Sequence, residues 1–258
     1  METLRELDVV RAAAPSGELR AASEGGMPTM VVRFSTFGTW YEIDSYFEGR
    51  FLERTARGAF KKTLRENRDQ IKVLYDHGFD AMIGNKVLGR ITDLREDEDS
   101  PVGEVELLDT AYNRELLPGL EAGLYGSSFR FRVIRDEWND DPGRSDHNPD
   151  GVPERTIKEV RLFEFGPVTF PANPDSTAGV RCLTDQYYER LRSRDPHRVE
   201  QIAQRARSLR TPEVDAALTG TSTDGAANTP TDAPATGHPS GLTQSARRER
   251  LYPFLKEQ

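Results

Sequence analysis

Cysteine is almost missing from this sequence: Cys182 is the one thiol in 258 residues. That excludes an internal disulfide framework and a cysteine-built zinc site, and points to a reducing compartment. Histidine is scarce as well, with four in the chain, so few side chains are suited to proton transfer near neutral pH. No apolar run approaches the roughly 20 residues of a membrane span. The opening METLRELDVVRAAAPSGELRAASEGG has no apolar stretch of the secretory-signal kind. There is no surplus of positive charge: 35 Lys+Arg stand against 43 Asp+Glu, a net −8, which argues against a basic nucleic-acid binder. GxSxG, HExxH, Walker and GxGxxG patterns are also absent. The common hydrolase, zincin and nucleotide-binding readings therefore have no support, and no metal or organic cofactor is implied.

What is present is polar for a packed globule, with 30% charged residues and a mean hydropathy of −0.68. Part of the length is therefore expected to stay outside any core. Residues 1–27 read as a flexible N-terminal arm. Residues 211–245 are dominated by Thr, Ser, Gly, Pro and Ala without an aromatic, too little apolar area to offset ordering entropy, and read as a disordered linker. A tail over 246–258, ARRERLYPFLKEQ, sets apolar residues behind a basic cluster, as a docking peptide does. Residues 184–210 carry apolar positions at helical spacing (Tyr187, Tyr188, Leu191, then Val199, Ile202 and Leu209 after Pro196), predicting two amphipathic helices that cap the domain or meet a partner. In between, 28–183 alternates. Strands are expected at 30–37, 71–76, 87–94, 102–109, 124–134 and 156–165, with helices at 57–67 and from Thr110 to Gly123. This is an α+β domain with a mostly antiparallel, β-rich core.

Three residues are candidates for chemistry. His77 ends an apolar strand and precedes Gly78, a position suited to a cleft, although a lone histidine serves structure more often. In the strand 124–134, Phe129, Phe131 and Val133 form a core face. Ser128, Arg130 and Arg132 share the other, either as a hydroxyl beside two cations or as a plain outward polar face. Strict alternation puts Glu164 on one face with Val160 and Leu162 and opposite Phe163 and Phe165. A carboxylate there needs a partner, either an imidazole or Arg130 or Arg132, and a simple ion pair would also serve. Together the three supply nucleophile, base and orienting acid from separate strands.

Four blocks in order, FSTFGTWYEIDSYFEGRFLERTARGAFKKTLREN, IKVLYDHGFD, GLYGSSFRFRV and EVRLFEFGPVTFPANPDS, resemble the caudovirus prohead (capsid maturation) serine protease family, a herpesvirus-assemblin-like group. The resemblance implies a β-barrel-like core of the herpesvirus-protease type with a few surrounding helices. It carries the family's histidine onto His77, its serine onto Ser128 rather than Ser127, and its acid onto Glu164. The herpesvirus relatives have a second histidine as third member, and no second histidine lies in this core. Arg130 stands where many relatives have glycine, and Arg130 and Arg132 become candidates for oxyanion or substrate contacts.

By the same resemblance the protein is a serine endopeptidase acting in the host cytoplasm inside the assembling prohead. Its substrates are the scaffold segment of the major capsid protein and itself, with the linker 211–245 as a self-cleavage zone. It is expected to form a homo-oligomer and to need no membrane or specific nucleic acid. The rival reading is a catalytically silent capsid-assembly scaffolding module of the same fold.

Overall fold

A computed structural model describes residues 7–13, 18–21, 26–45, 47–169 and 180–208. The expected linker 211–245, the tail 246–258 and most of the VTFPANP motif lie outside the described residues.

Eleven strands and four helices occur among the described residues. In chain order they are β1 (Asp8–Ala13), β2 (Glu18–Arg20), β3 (Thr29–Arg33), β4 (Tyr41–Ser45), β5 (Gly49–Thr55), α1 (Lys61–Glu66) and β6 (Lys72–Val73). A 3-10 turn at Asp76–Gly78 follows, then β7 (Gly89–Glu96), β8 (Pro101–Leu107), α2 (Ala111–Glu121), β9 (Gly126–Asn139), β10 (Glu154–Val168), β11 (Val180–Cys182), α3 (Thr184–Arg194) and α4 (Pro196–Ser208). One sheet runs β11-β1-β9-β10-β5-β4, with β6 added to β10, and a smaller one runs β2-β3-β8-β7. The long hairpin β9–β10 is its spine. Its aromatic and β-branched composition suits a pleated surface packed on one face.

The two sheets share one core. Phe129 and Phe131 of β9 and Leu162 and Phe165 of β10 meet Met30 and Val32 of β3 and Val105 and Leu107 of β8, all almost fully buried. Phe34 stacks on Phe165 at 4.8 Å between centroids and also meets Phe129 and Phe60. Such aromatic contacts add about 1 kcal/mol each beyond the area they bury.

The resemblance implies a barrel, but neither sheet closes through hydrogen bonds among the described residues. The larger one curls enough for Arg11 on β1 to reach Glu53 on β5, which lies three strands along. The fold is mixed α/β, mostly strands in open sheets. A second departure concerns the N-terminus: within the expected flexible arm, β1 pairs with β9 from Asp8↔Arg132 to Ala13↔Ser127 and with β11 on its other edge. Its Val9 and Val10 have no exposed surface. Two adjacent valines leave a strand's apolar residues on both faces, a pattern that alternation does not reveal. The hairpin β4–β5 is likewise unforeseen, because its polar residues are buried with partners from elsewhere in the chain. The expected strand at 71–76 is only the two-residue β6 before the turn at Asp76.

Helices α3 and α4 cover the face of β1 that the two-sheet core leaves free. Leu183, Tyr187, Tyr188, Leu191 and Val199 pack on Leu7, Val10 and Ala12. Of the two roles open to these helices, capping the domain is the one seen.

Candidate active site

The polar face of β9 is where the helices come down. Register places Ser128 between Ala12 of β1 and Gly166 of β10, on the face shared with Asp8 and Val10. Phe129 and Phe131 point to the opposite, aromatic core. The serine is therefore held by ladders on both edges of its strand, and its side chain has no solvent exposure.

Glu164 reaches the same face through an irregularity. Leu162 pairs with Phe131, whereas Glu164 pairs with Arg130, so one extra residue is accommodated around Phe163. A bulge of this kind flips the side-chain alternation beyond it. Strict period-two reading puts Leu162 and Glu164 on one face. The structure separates them, leaving Leu162 in the core and Glu164 across from it beside Arg130. Phe163, at the bulge, lies among the guanidinium groups of Arg130, Arg132 and Arg161 at 5.1 to 5.6 Å.

His77 comes from the strained turn after β6. Asp76 and His77 both have positive φ, at 45° and 56°, followed by Gly78 at 77°. Two successive non-glycine residues in that region cost of order 1–3 kcal/mol each, and such strain clusters at functional sites. The turn is pressed onto the sheet at Gly166, the residue opposite Ser128: a Cβ there would lie 1.9 Å from the Leu74 carbonyl oxygen. Leu74 N–H in turn donates to the Phe165 carbonyl at 3.1 Å. Only glycine permits this approach, which brings His77 over β9 and β10.

The three side chains form one chain of hydrogen bonds. His77 Nδ1 lies 2.7 Å from Glu164 Oε1, and His77 Nε2 lies 2.8 Å from Ser128 Oγ. The Ser128 hydroxyl is also placed to donate to the Arg11 carbonyl at 2.9 Å. Burial would push the Glu164 carboxyl up, but His77, and after it Arg130, hold it below the usual carboxylate range. It is thus an anion at neutral pH, as a partner for a charging imidazole requires. Cys182, the lone thiol, is pushed by burial up to about 12 and stays a thiol at neutral pH.

Arg130 and Arg132 lie beside this chain, paired with Asp8. Arg130 donates to Asp8 Oδ2 at 2.9 Å and lies 3.4 Å from Glu164 Oε1. Arg132 donates to Asp8 Oδ1 through both Nε and Nη2. Arg130 therefore lies against Glu164 rather than Ser128. The backbone of residues 127–132 is engaged with β1 on one edge and β10 on the other.

Sequence reasoning missed Asp8 beside the site and a buried arginine network on the other face of β1. Asp8 and Arg11 both lie in β1. Arg11 is fully buried and bound by Glu48 and Glu53 at 2.7 and 2.8 Å. Arg155 is also fully buried; it meets Glu53 at 3.3 Å and Asp136 at 2.9 Å. These four pairs join residues 19 to 102 positions apart. The available signal was a lone arginine in a valine–alanine run.

The model of the caudovirus prohead serine protease family matches residues 18–190. No curated protein matches the chain. Among solved structures, the bacteriophage T4 capsid assembly protease gp21 is similar at a TM-score of 0.39 and 11% identity, over 64% of this chain and 97% of that one. With the family match spanning more than half of its length, the chain belongs to the caudovirus prohead serine proteases.

Proposed function

We propose that this chain is the endopeptidase of phage head maturation, with Ser128 as nucleophile, His77 as general base and acid, and Glu164 as the group that orients the imidazole. The observation that carries the reading is the unbroken Ser128–His77–Glu164 hydrogen-bond chain. In the first step Ser128 Oγ bonds to the scissile carbonyl carbon while its proton passes to His77 Nε2. Collapse of the tetrahedral intermediate breaks the C–N bond, and His77 returns the proton to the leaving amine. Water then attacks the acyl-enzyme by the same route in reverse. Glu164 holds Nδ1–H, fixing the tautomer and stabilising the imidazolium. Arg130 is a positioning residue that keeps Glu164 ionised.

The substrates fitting this reading are the scaffold segment of the major capsid protein and the chain itself, cut within 211–245. The reaction takes place inside the assembling prohead in the host cytoplasm, with the protein in a homo-oligomer. Ser128 Oγ lies within hydrogen-bond distance of both the Arg11 carbonyl and His77 Nε2, and in the resting protein it is covered from solvent. Activation turns the Ser128 proton toward His77 and opens a path to Oγ.

The burial of Ser128 also favours the second reading, a silent assembly module of the same fold. Intact mass separates the two. Wild type and Ser128→Ala are incubated alone and with uncleaved capsid protein, in solution and within assembled proheads. Truncation by wild type alone establishes the protease; full-length protein throughout establishes the module.

A further inference from the structure

Beside His77, on the side toward α3, the surface dips into a cleft of about 350 Å³ including its open mouth. Phe79, Val168, Leu183 and Tyr187 form apolar walls, and His77 itself is part of the lining. The exposed Gln186 and the Asp76–Arg190 ion pair, 2.6 Å apart, supply its polar edge. The walls are preformed. Val168, Leu183 and Tyr187 are buried, and the Phe79 and Tyr187 rings meet edge to face at 5.3 Å. Arg194 lies over the Phe79 ring at 5.2 Å while donating to the Gly78 carbonyl at 3.0 Å.

The chemistry of the triad gives this cleft a direction. An imidazole that takes the serine proton must return it to the nitrogen being expelled. The residue that owns that nitrogen therefore lies against the imidazole, within side-chain reach of any cavity the imidazole helps to wall. Resting on the protease reading above, we infer that the cleft is the leaving-side subsite and takes one apolar side chain, of the size of Leu, Ile, Met or Phe, from the residue immediately C-terminal to the scissile bond. Among the described residues lining the cleft, the one cation, Arg190, is already paired with Asp76. A charged group set among Phe79, Leu183 and Tyr187 would be buried unpaired.

The test uses the full chain and a pooled library of peptides from a digested bacterial proteome. Cut positions are read by mass spectrometry, followed by single peptides varied only at the residue after the cut. Wild type is expected to cut before Leu, Ile, Met or Phe with kcat/KM at least about 10-fold above Ala, Asp or Lys, the discrimination typical of a few methylenes in an apolar pocket. Leu183→Ala, which deepens the cleft, shifts the preference toward Phe and Trp. Gln186→Trp, an exposed position that leaves folding intact, narrows the mouth and penalises the bulkiest residues.

Cutting that is indifferent to that residue, or a preference unchanged in Gln186→Trp, overturns the subsite. Labelling of Ser128 by a fluorophosphonate probe tells that failure from a wider one. Labelled protein with indifferent cutting leaves the protease standing and removes only the subsite. Neither labelling nor cutting, in solution and within assembled proheads alike, removes both.

Discussion

Strand β1 carries two charged clusters, one on each face, and they use ionic groups to opposite ends. On one face Arg11, with Arg155, Glu48 and Glu53, forms a sealed network in which all four side chains have no exposed surface. On the other, Asp8, Arg130 and Glu164 lead to His77 and Ser128. In the first, burial works against ionising Glu48, yet Arg11 pulls its carboxyl down to about 2. The second contains an imidazole, the side chain whose ordinary pKa lies closest to neutrality, between a carboxylate kept ionised and a hydroxyl. The first cluster is matched and closed on itself, whereas the second ends on an imidazole set between a carboxylate and a hydroxyl.

Substitutions can break this contrast. Glu164→Gln should lower peptide cleavage by about 10⁴-fold, the scale on which a triad's orienting carboxylate acts, while the thermal midpoint moves by only a few degrees. A cleavage rate within 10-fold of wild type would remove Glu164 from the triad. Arg11→Met leaves Glu48 and Glu53 buried without their main partner and should cost about 3–5 kcal/mol in urea unfolding. A cost below about 1 kcal/mol would mean that the sealed network has little structural weight.

Gly166→Ala falls between the clusters. Its new Cβ would meet the Leu74 backbone, displacing the turn that carries His77. A cleavage loss of about 10–100-fold is expected, together with a measurable loss of stability. Unchanged kinetics would show that the close approach does not aim the imidazole.

Acid sharpens the comparison further. The folded-state pKa of Glu48 lies below its ordinary 4.5, so its ionisation stabilises the fold fully above that pH. The contribution fades as pH falls through the interval from 4.5 to about 2. The stability gap between wild type and Glu48→Gln should therefore be constant above about pH 5.5 and shrink below it. A gap independent of pH from 7 to 3 would contradict the assignment. The smallest effect expected is at the half-buried Cys182, which should react with iodoacetamide far more slowly in the native protein than in urea, because its raised pKa keeps it protonated.

Much of the site's raw material was legible in one dimension. Alternation separated Ser128 from Phe129 and Phe131, and the apolar strand ending in His77–Gly78 marked a turn. The helical spacing of Tyr187, Tyr188 and Leu191 marked α3. Glu164 was picked out as a buried carboxylate in need of a partner, but its face was misassigned, because a bulge depends on the partner strand as well as on the strand that contains it. Strand β1 and the Arg11 network were illegible for a related reason. A buried arginine is tolerable only when carboxylates from distant segments surround it, and no local window contains both.

Local periodicity and side-chain chemistry, then, determined which segments become strands and helices and which few residues are able to move a proton, since both follow from neighbours along the chain. Only the tertiary structure decided that the sheets stay open, that an N-terminal segment resembling a loose arm becomes a buried strand beneath the serine, and that a strained turn delivers His77 to within hydrogen-bond distance of both Ser128 and Glu164. Those outcomes depend on register, on a bulge and on a glycine-sized gap between backbones. Each is a relation between segments far apart in sequence, and each is settled by packing and by the need to pair every buried charge.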